Sequence, residues 1–162
     1  MILIRPAADN DRHLLVNLIA RIENFTSEEK ELAMEVINDG LASTDSGYHI
    51  LVAVDSSDHS LSGFICFGAI PITVDRWDLY WIAVDPRKSG QGVGSLLLRT
   101  MEDKLGEGVR IYIDTSSLEG YRKARFFYER HGYQPVCMLS DFYKNGDDKI
   151  IYCKELARCN CF

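Results

Sequence analysis

No apolar run in this chain approaches the ~18 residues that a membrane-spanning helix needs, so no span is expected. The opening residues Met1-Ile2-Leu3-Ile4-Arg5-Pro6 carry neither a basic run nor a long apolar stretch, so no secretory leader is expected there. Positive charge is the scarcer sign: 18 Lys and Arg stand against 24 Asp and Glu, a net charge of -6. Binding to a phosphate backbone depends on neutralisation by Lys and Arg, so nucleic acid is not an expected partner. The mildly acidic balance suits a cationic substrate better than an anionic one. Cysteines are few and odd in number (Cys66, Cys137, Cys153, Cys159 and Cys161), and only the last two cluster. That pattern reads as reduced thiols in a cytoplasmic setting, not as a disulfide framework. The tail Cys159-Asn160-Cys161 has no His or Cys pair elsewhere at ligand spacing, so no metal is expected. There is no internal repeat and no low-complexity linker. With no Gly-Lys-Ser/Thr anywhere, a nucleoside-triphosphate loop is excluded.

What is present is an ordinary globular composition: 162 residues, 46% hydrophobic and 26% charged. A chain of that length buries a core without staples, which leads us to expect one domain over residues 1–157 and a short tail over 158–162. Hydrophobic periodicity then divides the chain. Ile2 to Arg5 reads as a strand ending at Pro6. Asp9 or Asn10 is expected to cap a helix whose buried face is Leu14, Leu15, Leu18, Ile19 and Ile22. Thr26 and Glu29 form a capping box for a second helix carrying Leu32, Val36 and Ile37, with Gly40 at its end. Strands follow at Tyr48–Val54, Leu61–Ile70 and Asp78–Val84. A helix spans about Val93 to Leu105, and a strand Val109 to Asp114. Ser116 and Glu119 are expected to cap a further helix that ends at His131-Gly132. Tyr133 to about Tyr143, the Asn145-Gly146 turn and Lys149 to Leu156 complete a final hairpin. The order β-α-α-β-β-β-α-β-α-β-β predicts an α/β (α+β) fold: one mixed, twisted sheet of about seven strands with helices on both faces.

One segment carries chemistry. In Ser89-Gly90-Gln91-Gly92-Val93-Gly94-Ser95 a buried strand runs through three glycines into an amphipathic helix. Glycine lets the backbone turn with φ > 0 and lets a ligand approach the N–H groups. The first helical turn adds unpaired donors and a partial positive charge, which together suit a diphosphate. The candidate donors are the amides of Gln91, Gly92, Val93, Gly94 and Ser95, with Arg87 and Lys88 just upstream. From the residues alone, a dinucleotide turn and a coenzyme A turn both remain open. The dinucleotide pattern lacks its third glycine, since Ser95 stands in that place, and Asp114 ends the next strand at about the spacing such a turn uses.

Two motifs separate these readings. Ser89-Gly90-Gln91-Gly92-Val93-Gly94, after the strand end Val84-Asp85-Pro86, resembles the Arg/Gln-x-x-Gly-x-Gly/Ala acetyl-CoA motif of the GNAT N-acetyltransferases, with Ser89 where that family usually has Arg or Gln. Ala124-Arg125-Phe126-Phe127-Tyr128-Glu129-Arg130-His131-Gly132-Tyr133 resembles the family's Ala-x-x-Phe-Tyr-x-x-x-Gly-Phe/Tyr segment, with Tyr121 in place of the usual Asn. The resemblance implies acetyl-CoA as co-substrate and direct transfer of its acetyl group, through a tetrahedral intermediate, to a primary amine on a small molecule or peptide. It implies that the strand carrying Ile82, Ala83 and Val84 offers free backbone groups to the pantetheine arm, and that Tyr128 both touches the cofactor and serves as general acid. Asp78 falls where some members place a base. Asp78, Tyr80 and Asp141 are the candidate acceptor-side residues. A homodimer stays open, as does a non-catalytic acyl-CoA sensor on the same fold.

Overall fold

The computed structural model describes residues 1–157, so the Cys159-Asn160-Cys161 tail lies outside the described residues. The elements are β1 (Ile2–Pro6), α1 (Arg12–Ala20), α2 (Ser27–Ala42), β2 (His49–Asp55), β3 (Leu61–Ala69), β4 (Arg76–Val84), α3 (Val93–Leu105), β5 (Arg110–Ser116), α4 (Arg122–Arg130), β6 (Gln134–Lys144) and β7 (Asp147–Glu155). Their sequence is the β-α-α-β-β-β-α-β-α-β-β order expected from periodicity. The strands form one seven-stranded sheet in the order β1-β2-β3-β4-β5-β7-β6. It is mixed: β4 and β5 run parallel from Arg76↔Arg110 to Leu79↔Ile113, whereas β1–β2, β2–β3, β5–β7 and β6–β7 are antiparallel. A parallel pair needs a crossover, and α3 supplies it.

Two compact units make up the chain. The first comprises Met1–Ala69 with Tyr80–Leu105. Its core gathers Leu15, Leu18 and Ile19 of α1 and Ala33 and Ile37 of α2 against Ile50, Val52 and Val54 of β2 and Phe64 and Cys66 of β3. Strand alternation sends Gly63 to the opposite face. There a Cβ on residue 63 would lie 3.1 Å from Leu97 and 3.3 Å from Val93, so the missing side chain is what lets the first turns of α3 sit close on β3. Among the described residues, the second unit comprises Ile70–Leu79 and residues 106–157. Ile111 and Ile113 of β5, Tyr152 of β7, Tyr128 of α4 and Tyr133 are buried in it.

Four local expectations are corrected. The α1 entry is held by Asp11, not Asp9 or Asn10. The Asp11 carboxylate accepts the Ala8 N–H at 2.8 Å and both Arg5 guanidinium nitrogens at 2.6 and 2.8 Å, and a single 3-10 turn precedes the helix. On α2 the Thr26–Glu29 capping box forms as expected. Leu32 is exposed, however, and Ala33 takes its place in the core. The helix runs past Gly40 to Ala42 and ends where Ser43 turns extended at φ -150°. Ser116 does not cap a helix with Glu119. Its hydroxyl accepts the Leu118 N–H at 3.0 Å and bonds the Asp147 carboxylate at 2.5 Å, and a 3-10 turn at Glu119–Tyr121 leads into α4 instead.

Candidate active site

In the first unit, the site is built from the end of β4 onward. The Asp85 N–H donates to the Ser62 carbonyl at 2.9 Å, which ties the strand end to β3. The Asp85 side chain is buried and caps a 3-10 turn at Pro86–Lys88 by accepting the Arg87 N–H at 3.0 Å. It also accepts the Arg87 guanidinium at 3.0 and 2.7 Å and Arg21 at 2.9 Å. Those donors, Arg87 first, hold its carboxyl well below the usual carboxylate range despite burial. Arg87 and Lys88, just upstream of the glycines, are both committed to aspartates: Arg87 to Asp85 and Lys88 to Asp55 at 3.1 Å.

The chain then loops through Ser89 and Gln91, whose amides close onto the Pro86 and Lys88 carbonyls at 3.3 and 3.4 Å. Gly90 and Gly92 have φ of +77° and +81°, and a Cβ on either would meet nothing within 4 Å. Leu96 donates to the Gly92 carbonyl at 3.0 Å. Helix geometry gives the amides before it, at Val93 and Gly94, no i-4 acceptor within the helix. The residues present therefore fit a diphosphate. Two glycines bend the chain with open space beside them, and a helix of 13 residues begins immediately after.

Upstream on β4, Ala83 is buried and Ile82 and Val84 are half-buried. Tyr80 is exposed and meets Tyr48 edge-to-face at 5.3 Å between ring centroids, while Trp81 meets Phe25 in the same manner at 5.2 Å.

In the second unit, cross-strand register places Asp78 of β4 beside Tyr112 of β5. Asp114, two residues on, shares that face and is ion-paired with Lys149 of β7. Burial first, then the Asp114 charge, raises the Asp78 pKa, and Lys149 pulls against both. On α4, Tyr128 is 7% exposed and packs among Phe127, Tyr133 and Tyr152 at 5.8, 6.4 and 6.0 Å. Desolvation pushes its phenol pKa upward. The neighbouring Tyr152 hydroxyl donates to Glu129 at 2.8 Å. Asp141, at φ +52°, spans the β6–β7 hairpin: its carboxylate accepts the Gly146 N–H at 2.6 Å and its own N–H donates to Asp148 at 2.8 Å.

Sequence reasoning missed two residues here. Asp147, just past the Asn145-Gly146 turn, is buried and tied to Ser116. Arg125, on α4, donates to the Ser116 and Leu118 carbonyls at 2.6 and 2.9 Å. Neither has a local signal, because the partners are 31 and 7–9 residues away. His131 matches its reading as a helix C-terminal residue, with Nδ1 2.8 Å from the Phe127 carbonyl. Among the described residues no His, Cys, Asp or Glu cluster could hold a metal, and no helix is long and apolar enough to cross a membrane.

The model of the acetyltransferase (GNAT) domain matches residues 46–135, and the chain belongs to that family. A protein of the GNAT family from Desulfovibrio desulfuricans is 33% identical over 97% of this chain and 100% of its own, with a TM-score of 0.90. The fold also matches the Escherichia coli ribosomal-protein-S18-alanine N-acetyltransferase, at 21% identity over 100% and 99% of the two chains and a TM-score of 0.74. A further match is an aminoglycoside 6'-N-acetyltransferase complexed with coenzyme A, at 20% identity over 94% and 96% and a TM-score of 0.69. No protein of curated function matches the chain.

Proposed function

We propose that this chain is an acetyl-CoA-dependent N-acetyltransferase that acetylates a primary amine. The observation that carries the reading is the turn at Gly90 and Gly92: positive φ at both, open space where side chains would stand, and a helix N-terminus directly behind. The amides from Gly92 to Ser95 would hold the diphosphate of coenzyme A, and the β4 backbone at Ile82, Ala83 and Val84 its pantetheine arm. When bound, acetyl-CoA supplies an acetyl group activated as a thioester. The relatives acting on a ribosomal-protein alanine and on an aminoglycoside support a primary-amine acceptor without choosing between peptide and small molecule.

The chain's own groups then take defined roles. Asp78, whose pKa is raised, accepts the proton that the attacking amine loses, directly or through water. Tyr128 stays a neutral phenol at pH 7, because burial disfavours its anion. The amine nitrogen would add to the thioester carbon, forming the C–N bond of a tetrahedral intermediate; when that collapses the C–S bond breaks, and Tyr128 would donate a hydrogen bond to the departing thiolate, which leaves as the anion or takes a proton from solvent. A thiol titrates near ~8.5, below this phenol, so hydrogen bonding in the transition state is the larger part of what Tyr128 supplies. Tyr80 and Asp141 would line the acceptor side.

The test is release of free thiol from acetyl-CoA in the presence of a panel of amines, amino acids, aminoglycosides and short peptides. Turnover is expected with at least one member. Tyr128→Phe should lower kcat ~10²-fold or more while leaving coenzyme A affinity unchanged. Unchanged turnover in that variant removes Tyr128 from the chemistry. Binding of acetyl-CoA with no turnover on any amine overturns the catalytic reading.

A further inference from the structure

In the second unit, the face of β5 and β7 that turns away from Ile111, Ile113 and Tyr152 is dense with charge. Cross-strand register puts Arg110, Tyr112 and Asp114 of β5 there, with Arg76 and Asp78 of β4 on one side and Lys149, Cys153 and Glu155 of β7 on the other. Most of these charges are committed. Arg110 pairs with Glu155 at 2.9 Å, and Arg76 donates to the Val74 and Asp75 carbonyls at 3.2 and 3.1 Å. Lys149 pairs with Asp114. Asp78, half-buried, stands across from Tyr112.

The Lys149–Asp114 pair differs from an ordinary surface pair. The lysine side chain is 18% exposed against 44% for the aspartate, and the ring of Phe142 on β6 covers its ammonium, 4.7 Å from nitrogen to ring centroid. Phe142 arrives there through a wide irregularity in β6. Leu139 pairs with Lys149 and Lys144 with Asp147, so residues 140–143 stand opposite Asp148 alone. Asp141 fixes that arc by its φ of +52° and its hydrogen bonds with Gly146 and Asp148, and Tyr143 meets the Phe142 ring edge-on at 5.1 Å. Such irregularities re-aim side chains beside functional sites. A lysine held between a carboxylate and an aromatic face keeps one position, where an exposed one would lose most of the pairing to solvent and to its own freedom.

We propose that Phe142 and Lys149 act together as positioning residues for Asp78: the ring fixes the lysine, the lysine neutralises Asp114, and Asp78 is left as the single uncompensated carboxylate on that face. The assignment rests on the reading of Asp78 as the group that takes the amine proton. Two bare carboxylates on one face oppose each other's ionisation. Asp114 acts on Asp78 in that sense and Lys149 in the opposite one, so clamping Lys149 onto Asp114 keeps the proton-accepting form of Asp78 available to the amine at lower pH.

Asp78 is titrated directly in the full chain by carbon-13 NMR of labelled aspartate side chains, with Asp78→Asn supplying the resonance assignment. Lys149→Met should move its midpoint upward and Asp114→Asn downward. Lys149→Arg keeps the charge and should stay close to the unaltered chain. Phe142→Leu, an exposed substitution that alters no charge, should move the midpoint upward by less than Lys149→Met does. In the thiol assay the acidic limb of kcat/KM should follow the same order, with Lys149→Met lowering kcat/KM roughly 3- to 10-fold on that limb. An Asp78 midpoint unmoved by Lys149→Met, one moved as far by Lys149→Arg, or a Phe142→Leu midpoint no higher than that of the unaltered chain overturns the assignment. A midpoint that follows the charges while the kinetic limb stays fixed upholds it and removes Asp78 from proton transfer instead.

Discussion

Replacing Gly92 by alanine tests the glycine turn most directly. Gly92 sits at φ +81°, and a Cβ there would touch nothing within 4 Å. The added methyl therefore clashes with nothing, and the cost in the free protein is backbone strain alone, ~1 kcal/mol for a left-handed alanine. For a domain of this size that lowers the melting temperature by ~2–4 °C. Gly106, just beyond the other end of α3, has φ +80° and equally open surroundings. Since α3 has 13 residues, the two glycines are separated by about 20 Å of helix. Gly106→Ala should thus cost the same stability and serve as the matched control. Ligand binding separates the pair. At residue 92 the methyl fills the space in which a diphosphate must approach the amides. The loss of one hydrogen bond to a charged acceptor, ~1.5–3 kcal/mol, weakens coenzyme A binding ~10- to 100-fold. At residue 106 it changes nothing. Calorimetric titration with coenzyme A, alongside thermal melts without ligand, reads both effects. If Gly92→Ala binds coenzyme A as tightly as the unaltered chain, the turn does not hold the diphosphate and the functional reading loses its support.

Three further outcomes follow from particular contacts. Asp85 has a depressed pKa in the folded chain, so its contribution is complete above its unfolded value near ~3.9 and is lost as pH falls through that value toward the folded one. Asp85→Ala should cost ~2 kcal/mol at pH 7, and its gap to the unaltered protein should close below pH ~3 in melts run across that range; a gap independent of pH would contradict the assignment. Gly63→Ala places a Cβ 2.7 Å from the Ala83 carbonyl oxygen, a backbone atom that cannot swing away, and should lower stability by ~1–3 kcal/mol in urea unfolding. Asp78→Asn should remove the acidic limb of the kcat/KM profile. That limb is expected above the ordinary carboxylate range, with activity rising as the pH passes upward through it, because burial and Asp114 favour the protonated form.

Periodicity and punctuation determined much of this protein on their own. The element order, the bounds of α3 at Val93 and Leu105, the Thr26–Glu29 box and the Asn145-Gly146 turn were all legible, because each depends on side-chain spacing or on contacts within four residues. The same locality made the glycine turn visible, since positive φ at Gly90 and Gly92 is a property of the residues themselves. Tertiary structure decided whatever depends on partners distant in sequence. Asp11 holds the α1 entry because Arg5 on β1 reaches it, and α2 buries Ala33 rather than Leu32 because of what it packs against. Asp147 is buried because Ser116, 31 residues earlier, is brought beside it, and Arg125 turns inward to the carbonyls that follow β5. A charge in a sequence carries no sign of whether it is solvated or paired. Its energy is set by the groups within a few ångströms, and only the folded chain selects those.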